Sequence, residues 1–257
     1  MPAFARPLIY SQAMPNQLEL LCEHVRAACD EFDAAIVYFG AWKSALDDPQ
    51  LPDRLGVSFA TNTFRTVITA LRRELLMAMI RLWDKDKRAI GLPRIAAELR
   101  DPNIIQLLVD ARAPAVSARK DATGLDSVSK HIAEALRVTL DETNRQFLDI
   151  AKRYETGGPG APLLKKLIIL RNERLAHFQV QAVSVPEKNA TDQEIENFYY
   201  DNAEMTRLLR SLVLAQSFDP LEAGGVHQHY AKLFWASVRG ERTEGHPDFK
   251  RPSGIPV

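Results

Sequence analysis

The 257 residues carry 33 basic and 33 acidic side chains, and 46% are hydrophobic and 8% aromatic. Those values exclude the disordered, collagen-like and disulfide-rich classes and allow a large core. A net charge of zero removes the long-range pull that a basic domain exerts on phosphate, so a nucleic-acid partner has to be argued from a local patch and a specific site.

Met1 to Gln17 holds three prolines and no apolar run long enough for a signal peptide, and no stretch approaches 18 uninterrupted apolar residues. The chain reads as cytoplasmic, with no membrane segment. Leu18, Leu21, Val25, Cys29, Phe32, Ile36 and Phe39 then form one stripe of a first long helix that Asp48-Pro49 ends. Cys22 and Cys29 stand seven apart on it, roughly 10 Å along the axis, too far for a disulfide. They read as core thiols in a reducing compartment.

A second stripe, Phe64, Ile68, Leu71, Leu75, Met79 and Leu82, runs to Trp83 before the polar run Asp84 to Arg88. Gly91-Leu92-Pro93 reads as a turn before a short helix, Arg94 to Arg100. Asp101-Pro102 reads as the cap and first-turn proline of the next. From Leu125 the pattern resumes through Val128, Ile132, Leu136, Leu140, Phe147 and Ile150, with Asp126 or Ser127 as cap, and Gly157-Gly158-Pro159-Gly160 stops it. Another start at Pro162 carries Leu163, Leu164, Leu167, Ile168, Leu170, Leu175 and Phe178. Val180 to Val185 reads as a short extended piece and Pro186 to Asn189 as loop.

Thr191 followed three residues later by Glu194 is a capping-box arrangement for a last long helix, with stripe Ile195, Phe198, Met205, Leu209, Leu212 and Ala215. Phe218-Asp219-Pro220 closes it. After Gly224-Gly225 a shorter amphipathic stretch carries Tyr230, Leu233 and Phe234, and from Gly240 the chain turns polar. No strand alternation and no internal repeat is visible. The expected fold is all-α, an antiparallel helical bundle, with residues 1–240 as one domain and 241–257 as a polar tail.

Charge is uneven along the chain. Residues 1–53 and 187–222 each carry three basic against eight acidic side chains. Residues 65–88 carry seven against three, and 165–174 four against one, and these two basic segments are either a phosphate-facing surface or solvated helix faces.

No glycine-rich phosphate loop, His-Glu-x-x-His, Cys-x-x-Cys or Gly-x-Ser-x-Gly occurs. What remains is Leu170-Arg171-Asn172-Glu173-Arg174-Leu175-Ala176-His177-Phe178. A loose Arg-to-His spacing alone is weak, since Arg239 and His246, seven apart near the C-terminus, also fit it. An Asn directly after the Arg and a His at one fixed offset, between two apolar runs, is far more specific.

This segment resembles the Arg-polar-x4-His signature of HEPN domains, the higher eukaryote and prokaryote nucleotide-binding superfamily, in its U-type abortive-infection branch. Met79-Ile80-Arg81-Leu82-Trp83-Asp84-Lys85-Asp86, followed by Gly91-Leu92-Pro93-Arg94-Ile95 and Leu99, is similar to the Arg-Leu-x-Asp block of that branch. Helical order extends the resemblance over residues 15–218. It implies an HEPN-like bundle with extra helices at both ends and a metal-independent endoribonuclease of a phage-defence or toxin-like system. It also implies a homodimer whose paired motifs line one cleft, with RNA as partner, an antitoxin or neighbouring defence protein as control, and no cofactor. Some HEPN toxins carry a tyrosine two residues after the histidine for inactivation by nucleotidylation. Here that position is Gln179, and that mode of control is not expected.

In this reading His177 is the general acid or base, Arg171 stabilises charge on phosphate and Asn172 orients the phosphate or the histidine. Arg174, Lys165 and Lys166 contact RNA, and Arg81 and Asp84 support the motif helix. Six helical residues turn about 600°, which leaves Arg171 and His177 about 120° apart. A local break, the reach of arginine or a second copy must bring them together.

Blander readings stand beside it. His177 can be a hydrogen-bonded core histidine, Arg171 and Arg174 surface ion-pair partners of Glu173, and Arg81 and Asp84 an i, i+3 pair. His227, His229 and His246 lack the ligand spacing of a metal site, and none is expected. Trp42, Trp83 and Trp235 read as packing residues. The competing functions are a non-catalytic module of the same fold that binds a nucleotide, RNA or a protein, and a helical scaffold.

Overall fold

A computed structural model describes residues 16–86, 89–118, 126–171 and 190–241, the side chains of 114–118 and 126–130 excepted. Every regular element among them is a helix: α1 (Gln17–Leu46), α2 (Leu51–Leu55), α3 (Ala60–Arg81), α4 (Leu92–Leu99), α5 (Pro102–Ala118), α6 (Asp126–Arg153), α7 (Ala161–Leu170), α8 (Asp192–Leu214) and α9 (Pro220–Ser237). The expectations for Met1 to Pro15, Leu125, Leu175 to Asn189 and the tail beyond Glu241 lie outside the described residues.

Local chemistry sets the helix starts. Asn16 Oδ1 accepts from the Glu19 amide at 2.8 Å while the Glu19 carboxylate accepts from the Asn16 amide at 3.0 Å, a reciprocal cap that opens α1. Thr191 and Glu194 close the same box on α8, as their spacing predicts. Asp101 accepts from the Asn103 amide ahead of Pro102, the first residue of α5.

Helix α1 runs through the middle of the bundle against α3, α8 and α9, while α6 packs on α5 and α8, and α4 lies against α1 and α6. Leu21, Val25, Cys29, Phe32, Ile36 and Phe39, six of the seven predicted stripe residues, are buried. The Phe39 ring stacks on Tyr199 of α8 at 3.7 Å with 7° between the planes, and Phe32 lies on the same Tyr199 at 5.4 Å. Both cysteines are free thiols, and burial pushes the Cys29 thiol up to about 12, which keeps it protonated and inert. No helix among the described residues is long and apolar enough to cross a membrane.

The structure adds one helix and corrects two expectations. The one-turn helix α2 has no long periodic pattern to announce it, yet it buries Leu51 and Leu55. Helix α4 begins at Leu92 and takes Pro93 into its first turn, where a missing N–H costs nothing, so the proline starts the helix instead of preceding it. Helix α9 begins at Pro220, capped by Asp219, and continues through Gly224-Gly225.

The predicted α9 stripe faces outward, with Tyr230, Leu233 and Phe234 each more than half exposed. The buried residues are Pro220, Gly224 and Trp235. Tyr230 and Trp235 lie about 140° apart on an ideal helix, so the two faces cannot both be buried against α1. Trp235 prevails: its indole N–H donates to the Ala41 carbonyl at 2.8 Å and its ring meets the edge of Phe64, in a small second core with Ala45, Leu51 and Leu55.

Candidate functional site

The site begins where α3 ends. Leu82 and Trp83 turn inward and are almost fully buried, and the Trp83 indole N–H donates to Asn202 Oδ1 of α8 at 2.8 Å. Asn202 donates in turn to the Phe198 carbonyl at 2.7 Å, so both halves of its amide are satisfied inside the core. The Trp83 ring packs against Tyr154 and Phe198. The Leu92 amide donates to the Leu82 carbonyl at 2.7 Å and closes the 82–92 loop. At Gly91 an added Cβ would stand 2.8 Å from that same carbonyl, so the closure needs glycine. Anchored this way, the chain leaves Asp84 at the surface edge, where its Oδ1 accepts from the Asp86 amide at 3.0 Å.

The second part comes from α7. Leu164, Leu167 and Leu170 are its buried face, and Arg171 follows at its C-terminal end. There Arg171 Nη1 donates to Asp84 Oδ2 at 3.2 Å, with the side chains 21% and 34% exposed. The pair spans 87 positions of sequence and joins the Arg-Leu-x-Asp block to the start of the Arg-Asn-x4-His segment.

The i, i+3 pair expected between Arg81 and Asp84 does not form. Helix α3 stops at Arg81 and tightens into i→i+3 turns, the Asp84 amide donating to the Arg81 carbonyl at 3.2 Å, while the two side chains take other partners. Arg81 turns to Glu31 of α1 at 2.9 Å. The two lysines of α7 also separate. Lys166 Nζ reaches the Glu194 carboxylate at 2.9 and 3.2 Å and is neutralised there, while Lys165 is exposed. Glu194 is held below the usual carboxylate range, first by the Thr191 amide and then by Lys166. Asn172, Arg174 and His177 lie outside the described residues, as does Gln179.

Beside Asp84 and α7 lies a cavity of about 690 Å³, lined by Lys85, Lys165 and a largely apolar wall that includes Tyr154, Pro162, Ile168 and Ile169. The loop between α6 and α7 shapes it. The Gly160 amide donates to the Arg153 carbonyl at 2.8 Å, and an added Cβ on Gly160 would meet the Tyr154 ring at 2.5 Å, so the loop lies flat on the ring only with glycine there. The Tyr154 hydroxyl donates to Asp201 at 2.7 Å, and burial, with that acceptor, pushes its pKa far above the ordinary tyrosine value. Among the described residues no three His, Cys, Asp or Glu side chains are grouped to hold a metal ion.

Sequence reasoning missed Asn202 and the Trp83 bond to it, and it read the glycine loop only as a stop. Trp83 was in view inside the Arg-Leu-x-Asp block, but its partner lies 119 positions away. No local signal points to such a partner.

The HEPN_AbiU2 family model, described as AbiU2, matches residues 16–234, from the cap of α1 into α9. No curated protein and no solved structure matches the chain. A match over that span shows the family: the chain belongs to the HEPN superfamily, in its U-type abortive-infection branch.

Proposed function

We propose that this HEPN_AbiU2 chain is a metal-independent endoribonuclease of a phage-defence or toxin-like system, with Arg171, Asn172 and His177 at a cleft shared by two copies. Membership of an abortive-infection HEPN family supports an RNase-like, defence-related role. The observation that carries the finer reading is the Asp84–Arg171 ion pair. It joins the two segments that resemble the family's motifs and holds a guanidinium at the head of the Arg-Asn-x4-His run.

The chemistry needs little more. RNA carries its own nucleophile: the 2′-oxygen attacks the adjacent phosphorus, the bond to the 5′-oxygen breaks, and a 2′,3′-cyclic phosphate and a 5′-hydroxyl result. One proton leaves the 2′-hydroxyl and one is delivered to the departing 5′-oxygen. An imidazole, whose reference pKa is near 6.5, can perform either transfer near neutral pH, and His177 is assigned that role. Arg171 offers a planar donor fork to the phosphate oxygens as charge builds on them, and Asp84 keeps that fork oriented. Asn172 orients the phosphate or the imidazole.

The offset of about 120° between Arg171 and His177 on a regular helix is what a second copy would resolve, each copy completing the other's site. Light scattering should therefore give a dimer, and a 28.9 kDa monomer at working concentration contradicts the shared cleft. A nuclease acting on its host's RNA needs restraint, and an antitoxin or neighbouring defence protein fits that need.

The test is incubation of the purified protein with structured and single-stranded RNAs in excess chelator, beside Arg171→Ala and His177→Ala proteins of unchanged helical content. Cleavage by the parent alone supports the reading. Binding that survives both substitutions without any cleavage product replaces it with a non-catalytic RNA-binding module.

A further inference from the structure

The cavity beside α7 has a charge pattern that the ion pairs around it do not explain. Most cations near it are neutralised: Arg171 by Asp84, Lys166 by Glu194, Arg153 by Asp201 and Arg81 by Glu31. Lys85 and Lys165, which line the cavity itself, make no ion pair or hydrogen bond among the described residues. Two ammonium groups with no partner among the described residues therefore line the cavity together with Tyr154, Pro162, Ile168 and Ile169.

A ligand suited to that wall has a flat or bulky apolar body and carries negative charge at its edge. A second cavity, about 530 Å³ on the α5, α6 and α8 side, lacks the pattern. Its Arg112 is spent on the carbonyls of Ser211 and Leu212, and its Arg207 on Glu204.

Position narrows the ligand further. Lys85 directly follows Asp84, the residue that holds Arg171, and Ile168 and Ile169 stand within one helical turn of Arg171. Lys165 lies six residues before Arg171, about 9 Å along the α7 axis. The cavity thus lies along the part of α7 that leads up to Arg171, whose guanidinium is assigned to the reacting phosphate.

We propose that it is a nucleotide subsite, holding one base of the RNA strand on its apolar wall and an adjacent backbone phosphate between Lys85 and Lys165. The proposal rests on the ribonuclease reading and assigns it a binding pocket for one nucleotide flanking the bond that is cut. The fixed α6–α7 loop, with Gly160 flat on Tyr154, gives this pocket a preformed edge.

The experiment uses the full-length His177→Ala protein, so that turnover does not consume the probe. Fluorescence anisotropy is measured in chelator with short single-stranded RNAs, intact or carrying one abasic ribose at each position in turn. Removal of one particular base should weaken binding about tenfold. Ala161→Phe, which projects a ring into the cavity, should weaken binding of the intact RNA by a similar factor and erase the abasic effect. Lys85→Gln with Lys165→Gln should lower the salt dependence of log Kd by about 0.7, the counterion release of one phosphate contact on a single strand.

If the parent cleaves RNA but no abasic position stands out and the cavity variants bind as the parent does, the subsite is wrong and the nuclease reading stands. If salt dependence falls but no base matters, the lysines are a plain anion surface and the base pocket is wrong. If neither parent nor variants bind or cut RNA, the ribonuclease reading fails and takes the subsite with it. The abasic series on the unfilled protein decides the base contact even where Ala161→Phe does not fold.

Discussion

The indole N–H of Trp83 donates to Oδ1 of Asn202 at 2.8 Å, in a core where Trp83 is 2% exposed and Asn202 not at all. One residue further on is Asp84. The bond joins the end of α3 to the middle of α8, and the position of the carboxylate that meets Arg171 follows from it.

Asn202→Ala leaves the Trp83 donor buried without its partner, which should cost about 1–3 kcal/mol by urea denaturation. Trp83→Phe removes the other member and strands the Asn202 acceptor. In the double variant the two losses should not add, with a coupling of about 0.5–3 kcal/mol. Simple additivity would mean that the bond contributes nothing beyond packing.

Asp84→Asn keeps the shape of the side chain and removes its charge. The pair it breaks is partly solvated, so stability should change by less than about 1 kcal/mol. RNA cleavage should fall by about 10- to 100-fold, because a guanidinium displaced by about 1 Å loses its alignment with the transition state. A variant with undiminished activity makes the pair structural, and the positioning role assigned to Asp84 falls.

Acid should weaken the start of α8. The Glu194 carboxyl is held below its ordinary value by the Thr191 amide and then by Lys166. A group lowered in the folded state stabilises the fold above its unfolded value, and that contribution is lost as pH falls through the folded one. Glu194→Gln keeps the capping geometry but not the charge. It should cost a few tenths of a kcal/mol at pH 7, the pair being a third exposed, and should flatten the loss of stability below about pH 4.5. Parallel acid profiles of variant and parent would contradict this.

The two faces of α9 should respond oppositely. Phe234→Ser and Leu233→Ser, on exposed positions, should shift stability by no more than about 0.5 kcal/mol. Trp235→Ala, which empties the second core and removes the indole bond to the Ala41 carbonyl, should cost about 3–5 kcal/mol. The reverse ranking would restore the face expected from the periodicity.

That helix illustrates what the sequence disclosed. Thr191 with Glu194, and Asp101 with Pro102, were legible because a cap is written within four residues. The α1 stripe was legible because one face only is apolar enough to bury. Helix α9 has apolar residues on two faces, and the choice between them rests on Ala41, Leu51 and Phe64, which no local pattern connects to Trp235.

The candidate site divides the same way. Arg171 and Asp84 were each visible within a motif, but Arg81 offered Asp84 a nearer partner, and nothing local announces that Glu31 takes Arg81 and Arg171 takes Asp84. Lys165 and Lys166 are neighbours in sequence with the same charge, and the helix turns one to the cavity and the other to Glu194.

The most direct test of the central claim is the chemistry of the cut. An RNA that the parent cleaves in chelator is compared with one bearing a single 2′-deoxy residue on the 5′ side of the cleaved bond, and the ends of the products are identified. The account predicts 2′,3′-cyclic phosphate and 5′-hydroxyl ends, and no cleavage at the deoxy position. Cleavage that persists there, or products ending in a 3′-hydroxyl, would contradict attack by the 2′-oxygen and with it the mechanism assigned to Arg171 and His177.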